Sequence, residues 1–354
     1  MAYPRLEINL KKLYHNAKML VEQCKAEGIA VAGVTKVFCG DPIIAQVLID
    51  GGIAMLADSR IQNLKKLQTL SVPKMLLRIP MLSEVEEMIE YADISLQSEL
   101  AVIEKTSRIA LEKGKDHHIL LMVDLGDLRE GCWEDEIYSL SEKIVKLGGV
   151  KLSGIGTNFG CYGGVIPEDH SLQRLVEIKN KVEENCGITL EIVSGGNSNS
   201  LHLLWENKIP KEVNQLRLGE PIVLGKEDVY DATIEGFYDN GFRLWAEIIE
   251  IKSKPSVPIG KIGVNAFGYV PTFENRGIRK RAIVALGRQD ILLDGISPVE
   301  KGVLVLGASS DHLLLDIEEM ERELKIGDIL EFKMNYGALL AAMTSPYVHK
   351  IYVK

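Results

Sequence analysis

The chain has 354 residues, of which 46% are hydrophobic and 26% charged, and it carries a formal net charge of −9 at pH 7. This length allows one large domain and a smaller one, and the acidic balance argues against a nucleic-acid partner. No stretch approaches the roughly 20 consecutive apolar residues of a membrane span, and the first residues lack the apolar core of a secretory signal. We therefore expect a cytoplasmic protein that neither binds nucleic acid nor enters a membrane.

The five cysteines are scattered along the chain and show no C-x-x-C spacing. An odd number of cysteines without such spacing indicates neither a disulfide framework nor a zinc site. We expect reduced thiols and no metal centre.

Short apolar runs alternate with amphipathic, helix-like segments in the first part of the chain. Eight runs have this strand-like character: 29–37, 52–57, 75–79, 92–96, 118–125, 152–159, 189–193 and 215–218. Parallel strands that are buried on both faces have nearly continuous hydrophobic sequences. The pattern predicts a (β/α)8 TIM barrel over residues 1–235; a doubly wound sheet is the alternative, which the strand count disfavours.

Helix boundaries are visible between some of these runs. Asp41 is the predicted N-cap of one helix, Pro42 its first residue and Gly51 the residue past its end. Ser83 and Glu86 have the spacing of a capping box.

The pattern changes after about residue 235. The runs 242–251 and 302–317 alternate or stay apolar without long helices between them, and glycine and proline become frequent. Residues 236–354 are predicted to form a C-terminal, mostly-β domain.

Polar residues follow several barrel strands at their carboxyl ends, the face on which barrel enzymes build active sites. They are Lys36 at the end of the first run, Arg129 after the fifth, Asn158 at the end of the sixth, Ser194–Ser198 after the seventh and Arg217–Gly219 at the end of the eighth. A lysine at such a position can form a Schiff base with pyridoxal phosphate. A lone lysine there more often packs its stem and extends its ammonium to water.

The segment Ser194–Ser198 reads SGGNS and leads into a helix-like run. Such a turn presents backbone N–H groups and a hydroxyl to an anion, although it is also an ordinary turn. Its convergence with Lys36 and Gly219 favours a phosphate site.

Together, these segments and several others resemble the alanine racemase family of fold-type III pyridoxal-phosphate enzymes, over nearly the whole chain. The matching segments are Arg5–Leu10, Val34–Lys36, Val123–Arg129, Thr157–Phe159, Asn197–Ser198, Arg217–Gly219, Phe267–Tyr269 and Ser310–Asp311.

The resemblance implies a homodimer that racemises a small-molecule amino acid with two bases. Lys36 would hold pyridoxal 5'-phosphate and act on one face of the substrate, and Tyr269 of the partner subunit would act on the other. Arg129 would reach the cofactor ring oxygen and the substrate carboxylate, and it is a candidate for the positive charge that a phenol base needs. Arg217 would face the pyridine nitrogen. Further cofactor contacts are expected from Asn158, Ser194, Asn197, Ser198, Gly219, Glu220 and Tyr347, and further substrate contacts from Ser310 and Asp311.

Three departures from the alanine racemase pattern bear on the substrate. Met122 replaces a lysine that is often carbamylated, Asn158 replaces a ring-stacking histidine, and Gly40 replaces a phosphate-contacting tyrosine. These changes resemble the ornithine-racemase-like subgroup and imply interconversion of L- and D-ornithine or a related basic amino acid. Asp311, or more remotely Glu220, could receive the side-chain ammonium.

Four alternatives stay open from the sequence. They are a racemase for alanine or another amino acid, a pyridoxal-phosphate-binding regulatory protein without catalysis, a fold-type III decarboxylase of basic amino acids, and, more remotely, a phosphate-binding barrel hydrolase. The predicted β domain with Tyr269 argues against the regulatory protein, because a carrier needs no second base.

Overall fold

A computed structural model describes residues 2–354. They form two compact units, one spanning Lys11–Asp239 and the other combining the chain up to Leu10 with Asn240–Lys354. No helix among the described residues is both long and apolar enough to cross a bilayer. The cytoplasmic location stays a prediction.

The chain begins with strand β1 (Arg5–Asn9) and helix α1 (Leu10–Ala26), and eight parallel strands follow that close into a barrel. The strands are β2 (Ala30–Val34), β3 (Met55–Asp58), β4 (Lys74–Leu76), β5 (Ile94–Gln97), β6 (His117–Met122), β7 (Val150–Gly156), β8 (Ile192–Ser194) and β9 (Gln215–Leu218). The (β/α)8 barrel is confirmed, since β9 pairs in parallel with β2.

Helices surround the barrel between its strands. They are α2 (Pro42–Asp50), α3 (Ile61–Lys66), α4 (Val85–Tyr91), α5 (Leu100–Lys113), α6 (Glu134–Ile144), α7 (Asp169–Cys186), α8 (Leu201–Trp205) and α9 (Glu220–Leu224). The predicted cap of α2 is confirmed, because Asp41 accepts hydrogen bonds from the N–H groups of Ile43 and Ile44. The predicted capping box at Ser83 is wrong. A 3₁₀ turn occupies Leu82–Glu84, and the carboxylate of Glu84 pairs with Arg78 instead of capping α4.

Side chains at alternate positions of neighbouring strands fill the barrel interior. Ala32, Ala57, Met75, Leu96 and Leu120 belong to one buried cluster, as the inward-facing set of a closed sheet should. The apolar surface on the other side of β6–β8 packs with α5, α6 and α7 in a second cluster. The interior is therefore a packed core, and polar chemistry is left to the strand ends.

The second unit is mostly antiparallel sheet, as predicted. Its strands are β10 (Phe242–Pro255), β11 (Ile278–Val284), β12 (Ile296–Pro298), β13 (Leu304–Ala308), β14 (Leu313–Asp316), β15 (Ile329–Met334) and β16 (His349–Val353), with helix α10 (Tyr336–Thr344) between the last two. The sequence boundaries differ from the structure at the N-terminus. Strand β1 pairs with β10 and β16, so it belongs to this sheet and not to the barrel to which residues 1–235 were assigned.

Candidate active site

Lys36 lies in a single 3₁₀ turn, Lys36–Phe38, just beyond the end of β2. The residue before it, Thr35, is fully buried, and its hydroxyl donates to Asp58 Oδ2 at 2.5 Å. Asp58 also accepts from the N–H of Arg60 at 2.9 Å and from Asn63 Nδ2 at 3.1 Å. Burial raises the pKa of Asp58, and these hydrogen bonds oppose the rise. The end of β3 thus fixes the residue that precedes Lys36.

The turn after Lys36 is tight because two successive residues, Cys39 and Gly40, have φ of +55° and +59°. The Lys66 ammonium donates to the carbonyl of Cys39 at 2.8 Å. A Cβ on Gly40 would lie 2.7 Å from Asn63 Cβ, so the backbone here approaches α3 more closely than any side chain permits.

The SGGNS segment forms a second turn, with a 3₁₀ helix over Ser198–Ser200. The Asn197 side chain braces it, because its Oδ1 accepts from the N–H of Asn199 at 3.1 Å and its Nδ2 donates to the carbonyl of Phe159 at 2.9 Å. Ser198 is buried, at 4% exposure.

Two carboxyl groups lie beside Lys36 and Ser198. The pKa of Asp228 is raised to about 8, chiefly by burial and next by the charge of the neighbouring Glu220, although the Lys36 charge and a hydrogen bond with Ser198 oppose the rise. The pKa of Glu220 is raised as well, again chiefly by burial, and the charge of Lys36 counteracts this. The structure therefore brings together Lys36, Ser198 and Glu220, and it adds Asp228. The sequence reasoning missed Asp228 because it lies beyond α9, away from any apolar run.

Arg217 lies on β9 opposite Ala32 of β2 and is only 3% exposed. Its guanidinium donates to the Thr157 carbonyl at 2.5 Å, to Asn158 Oδ1 at 2.6 Å and to the Ser194 hydroxyl. Burial lowers the pKa of Arg217 to about 10, which still leaves it charged at neutral pH.

The close approach of backbone and guanidinium at this point depends on small residues. Gly219 is the N-cap of α9, and a Cβ on it would lie 3.1 Å from Val34 Cβ, two residues before Lys36. On β7, a Cβ on Gly156 would lie 3.4 Å from Arg217 Nη1. The ends of β2, β7 and β9 therefore meet around one buried cation.

Arg129 lies in the loop between β6 and α6, and its guanidinium pairs with the adjacent Glu130. Asn158, two residues beyond the end of β7, donates from its Nδ2 to the same carboxylate. The sequence reasoning missed Glu130, although it directly follows the predicted arginine. Met122, the position of the family's lysine, is fully buried among the apolar side chains of the barrel interior.

The second unit holds the remaining predicted residues, which are Tyr269, Ser310, Asp311 and Tyr347. Tyr269 is 48% exposed, and its hydroxyl oxygen accepts a hydrogen bond from Arg288 Nη2 at 3.2 Å. The backbone N–H of Arg288 donates to the carbonyl of Ser309 at 3.0 Å, which brings the Ser310–Asp311 loop to the same place. Asp311 Oδ1 accepts from the hydroxyls of Ser309 and Ser310 and contacts His312 Nδ1 at 2.9 Å, and the His312 contact is the main cause of its lowered pKa.

Tyr347 lies in the turn between α10 and β16 and is 59% exposed. Its backbone N–H donates to the Ser345 hydroxyl at 3.2 Å, and that hydroxyl donates to Asp290 Oδ1 at 2.9 Å, two residues from Arg288. Among residues 2–354, no group of three or more His, Cys, Asp or Glu side chains is arranged to hold a metal ion. The positive charge beside Tyr269 comes from Arg288 within its own unit, a residue that the sequence reasoning did not single out.

Comparisons with known proteins show the family to which the chain belongs. The chain is 47% identical to a lysine racemase of Thermotoga maritima over 99% of both chains. It is 44% identical to an ornithine racemase of Acetoanaerobium sticklandii over 98% of this chain and 99% of that one. The fold matches an alanine racemase of Bartonella henselae with covalently bound pyridoxal phosphate, with a TM-score of 0.75, 16% identity and 100% of both chains covered. Residues 8–225 match the family described as alanine racemase, N-terminal domain. The chain is an isomerase, and it belongs to the alanine racemase family.

Proposed function

We propose that the protein is a pyridoxal-phosphate-dependent racemase of basic amino acids, which interconverts the L and D forms of ornithine or lysine. The relatives named lysine and ornithine racemase support the substrate class. The observation that carries the proposal is the cluster in the barrel: Lys36 lies beside Ser198 and two carboxyl groups, and the buried Arg217 lies on the neighbouring strand.

The residues in the barrel fit such a cofactor. Thr157 Oγ1 is a fully buried oxygen without a hydrogen-bond partner, and it lies next to the carbonyl that Arg217 contacts. A bound cofactor could therefore supply the hydrogen bond that this hydroxyl lacks within the protein. Lys36 would hold the cofactor covalently. The ring would be contacted by Arg129, Asn158 and Arg217, and the phosphate by Ser194, Asn197, Ser198, Gly219, Glu220 and Tyr347. Pyridoxal phosphate, when bound, supplies the electron delocalisation that makes the Cα proton of an amino acid removable.

Two side chains would move protons at Cα. Lys36 Nζ takes or returns the proton on one face, and Tyr269 Oη does so on the other. Because Tyr269 Oη accepts a hydrogen bond from Arg288, its own proton is directed away from the guanidinium and stays available for transfer. Arg217 keeps its proton at neutral pH, so the pyridine nitrogen that it faces would accept a hydrogen bond and stay unprotonated. Ser310 and Asp311 remain proposed substrate contacts.

The carboxyl pair Glu220 and Asp228 would receive the side-chain ammonium of the substrate. Asp228 Oδ1 is buried without a hydrogen-bond partner, and both groups feel the charge of Lys36. An incoming ammonium would displace the proton that Asp228 retains below pH 8 and would form a charge-assisted pair. Asp311 is the alternative receptor, but its carboxylate already has His312 and two hydroxyls as partners.

A homodimer is part of the proposal, because exposed apolar side chains concentrate on the segment that carries Tyr269. Ile259 is 92% exposed, Val264 71% and Val270 60%, which is typical of a surface that another chain covers.

Mixing two inactive variants, Lys36→Ala and Tyr269→Phe, tests whether the site is shared between subunits. Half of the reassembled dimers would hold one intact site, which restores about a quarter of the wild-type activity; no recovery would refute the shared site.

The function is tested with purified protein in deuterated water and the L forms of ornithine, lysine, arginine and alanine. Chiral separation should show inversion of the basic amino acids with deuterium at Cα, and mass spectrometry after borohydride reduction should locate the cofactor on Lys36. Lys36→Ala should remove this linkage, whereas the exposed Lys113→Ala should not. Release of carbon dioxide would identify a decarboxylase, and faster inversion of alanine would refute the substrate class. A reducible linkage without any turnover would identify the regulatory protein.

A further inference from the structure

The carboxylate of Glu130 connects the two arginines of the barrel site. Arg129 Nη2 donates to Glu130 Oε1 at 2.6 Å, and Arg129 Nε donates to Oε2, so the pair is bidentate. Asn158 Nδ2 donates to Glu130 Oε1, and Asn158 Oδ1 accepts from Arg217 Nη2 at 2.6 Å. One continuous chain of hydrogen bonds therefore runs from the β6–α6 loop to strand β9.

Burial of the carboxylate separates this pair from an ordinary surface contact. Exposed ion pairs typically contribute little, because solvent screens them and two flexible side chains must be ordered. The Arg129 side chain is 38% exposed, but the Glu130 side chain is only 15% exposed and Asn158 is 8% exposed. By contrast, the nearby pair of Glu134 and Arg174 has side chains that are 32% and 47% exposed.

The charges explain why a carboxylate is needed at this position. The hydrogen-bond partners of Arg217 are all neutral, namely Thr157, Asn158 and Ser194. Among the charges that stabilise its protonated form, Glu130 has the largest effect, while Arg129 opposes it. Without Glu130, two guanidinium groups would face each other across Asn158 with no anion between them.

We propose that Glu130 is a positioning residue of the active site. Its carboxylate holds Arg129 directly and Arg217 through Asn158, so that both cations keep fixed positions toward the cofactor ring. The inference rests on the proposed function, because Arg129 and Arg217 are the residues assigned to that ring. Asn158 serves as the connector, since its amide both donates to the carboxylate and accepts from the guanidinium.

Glu130→Gln is the sharpest test because it retains the shape of the side chain. The glutamine oxygen can accept two of the three hydrogen bonds, but its NH₂ group faces a donor of Arg129, and the negative charge is lost. We expect the variant to fold and to keep a reducible cofactor on Lys36. Its kcat should fall by about 10- to 100-fold, as is typical when a partner of a site residue is removed. Glu130→Asp should recover part of the rate.

Two further measurements detect positioning itself. The acid limb of the pH–rate profile should move to lower pH in Glu130→Gln, because removing a negative charge makes neighbouring groups easier to deprotonate. Labelling with phenylglyoxal, read by peptide mass spectrometry, should modify Arg129 several-fold faster in the variant, with or without cofactor. Glu134→Gln is the matched control, since it removes a carboxylate from an exposed arginine pair, and it should leave rate, profile and labelling of Arg129 unchanged.

The outcomes separate this inference from the proposed function. If the wild-type protein carries no reducible cofactor and inverts no amino acid, the proposed function is wrong. If the wild type is an active racemase and Glu130→Gln matches Glu134→Gln in rate, pH profile and Arg129 labelling, only the role of Glu130 is refuted.

Discussion

The buried carboxyl group of Asp58 is predicted to hold the turn that presents Lys36. Asp58→Ala removes the acceptor for the Thr35 hydroxyl, the Asn63 amide and the backbone N–H of Arg60. Thr35 is 0% exposed and Asn63 9%, so water cannot readily replace the carboxyl oxygens. A buried donor left without a partner costs about 1–3 kcal/mol. The Thr35 hydroxyl has a weak substitute in the Ala57 carbonyl at 3.4 Å.

The expected loss of stability is about 2–4 kcal/mol, with the larger share from Asn63. For a unit the size of Lys11–Asp239, this lowers the unfolding temperature by about 5–15 °C. Thermal unfolding followed by far-ultraviolet circular dichroism measures the change. Borohydride reduction should also show less cofactor on Lys36, because the turn that begins there is no longer fixed.

Asp58→Asn is the control that separates hydrogen bonding from charge. The asparagine oxygen can still accept from Arg60 and Asn63, and its amide can donate to Thr35, whose proton then turns to the Ala57 carbonyl. Burial raises the pKa of Asp58, so a neutral side chain of the same shape should cost less than about 1 kcal/mol. If Asp58→Ala unfolded at the wild-type temperature, the reasoning would be refuted. If both variants lowered the unfolding temperature equally, the charge of Asp58 would matter instead of its hydrogen bonds.

Three further predictions concern other positions in the barrel. Gly40→Tyr, which restores the tyrosine of alanine racemases, should destabilise the protein in the same melting assay instead of creating an alanine racemase, because a Cβ would lie 2.7 Å from Asn63 Cβ at a φ of +59°. Burial lowers the pKa of His117 from 6.5 to about 4, so the unfolded chain binds this proton more readily. The resulting stability, up to about 3 kcal/mol, is complete above pH 6.5 and lost as the pH falls toward 4; chemical denaturation across that range should show the loss, and His117→Gln should lack it. Asp228→Asn should raise KM for ornithine more than tenfold but leave KM for norvaline, which lacks the terminal amine, nearly unchanged. In the wild type, KM for ornithine divided by KM for norvaline should fall as the pH rises through about 8, because Asp228 loses its proton there and can pair with the ammonium. A ratio that does not change with pH would contradict the assignment.

The barrel could be predicted because its strands are buried on both faces and therefore have continuous apolar sequences. Strand ends were harder to place. The first run was expected to extend to Val37, but β2 ends at Val34, because Thr35 bonds to Asp58 and the chain then turns. Strand β1 could not be assigned to its sheet, because its partner β10 lies more than 200 residues along the chain and no local pattern encodes that pairing.

Some residues of the candidate site could be predicted from the sequence, and others could not. Lys36 and Arg217 could be found because a charged residue at the end of an apolar run is conspicuous in the sequence. Glu130 and Asp228 could not, since a carboxylate on a loop has no periodic signal and its meaning depends on the cation that the fold brings to it. Arg288 was missed for the same reason, as only the fold brings its guanidinium to the Tyr269 hydroxyl.

The charges of the barrel site fall into two groups with different consequences for the substrate. In one group, Arg129 and Arg217 share the carboxylate of Glu130, and the charge of Asp127 also acts on Arg129. In the other, Lys36 lies beside Glu220 and Asp228, whose raised pKa values let the two carboxyl groups hold a proton between them. We expect the first group to attract the α-carboxylate that all amino acids share, and so to contribute affinity without selectivity. Selection of a basic side chain must then come from the second group, where an added ammonium replaces a proton in a buried site and where an apolar side chain would bring no cation to the two carboxyl groups.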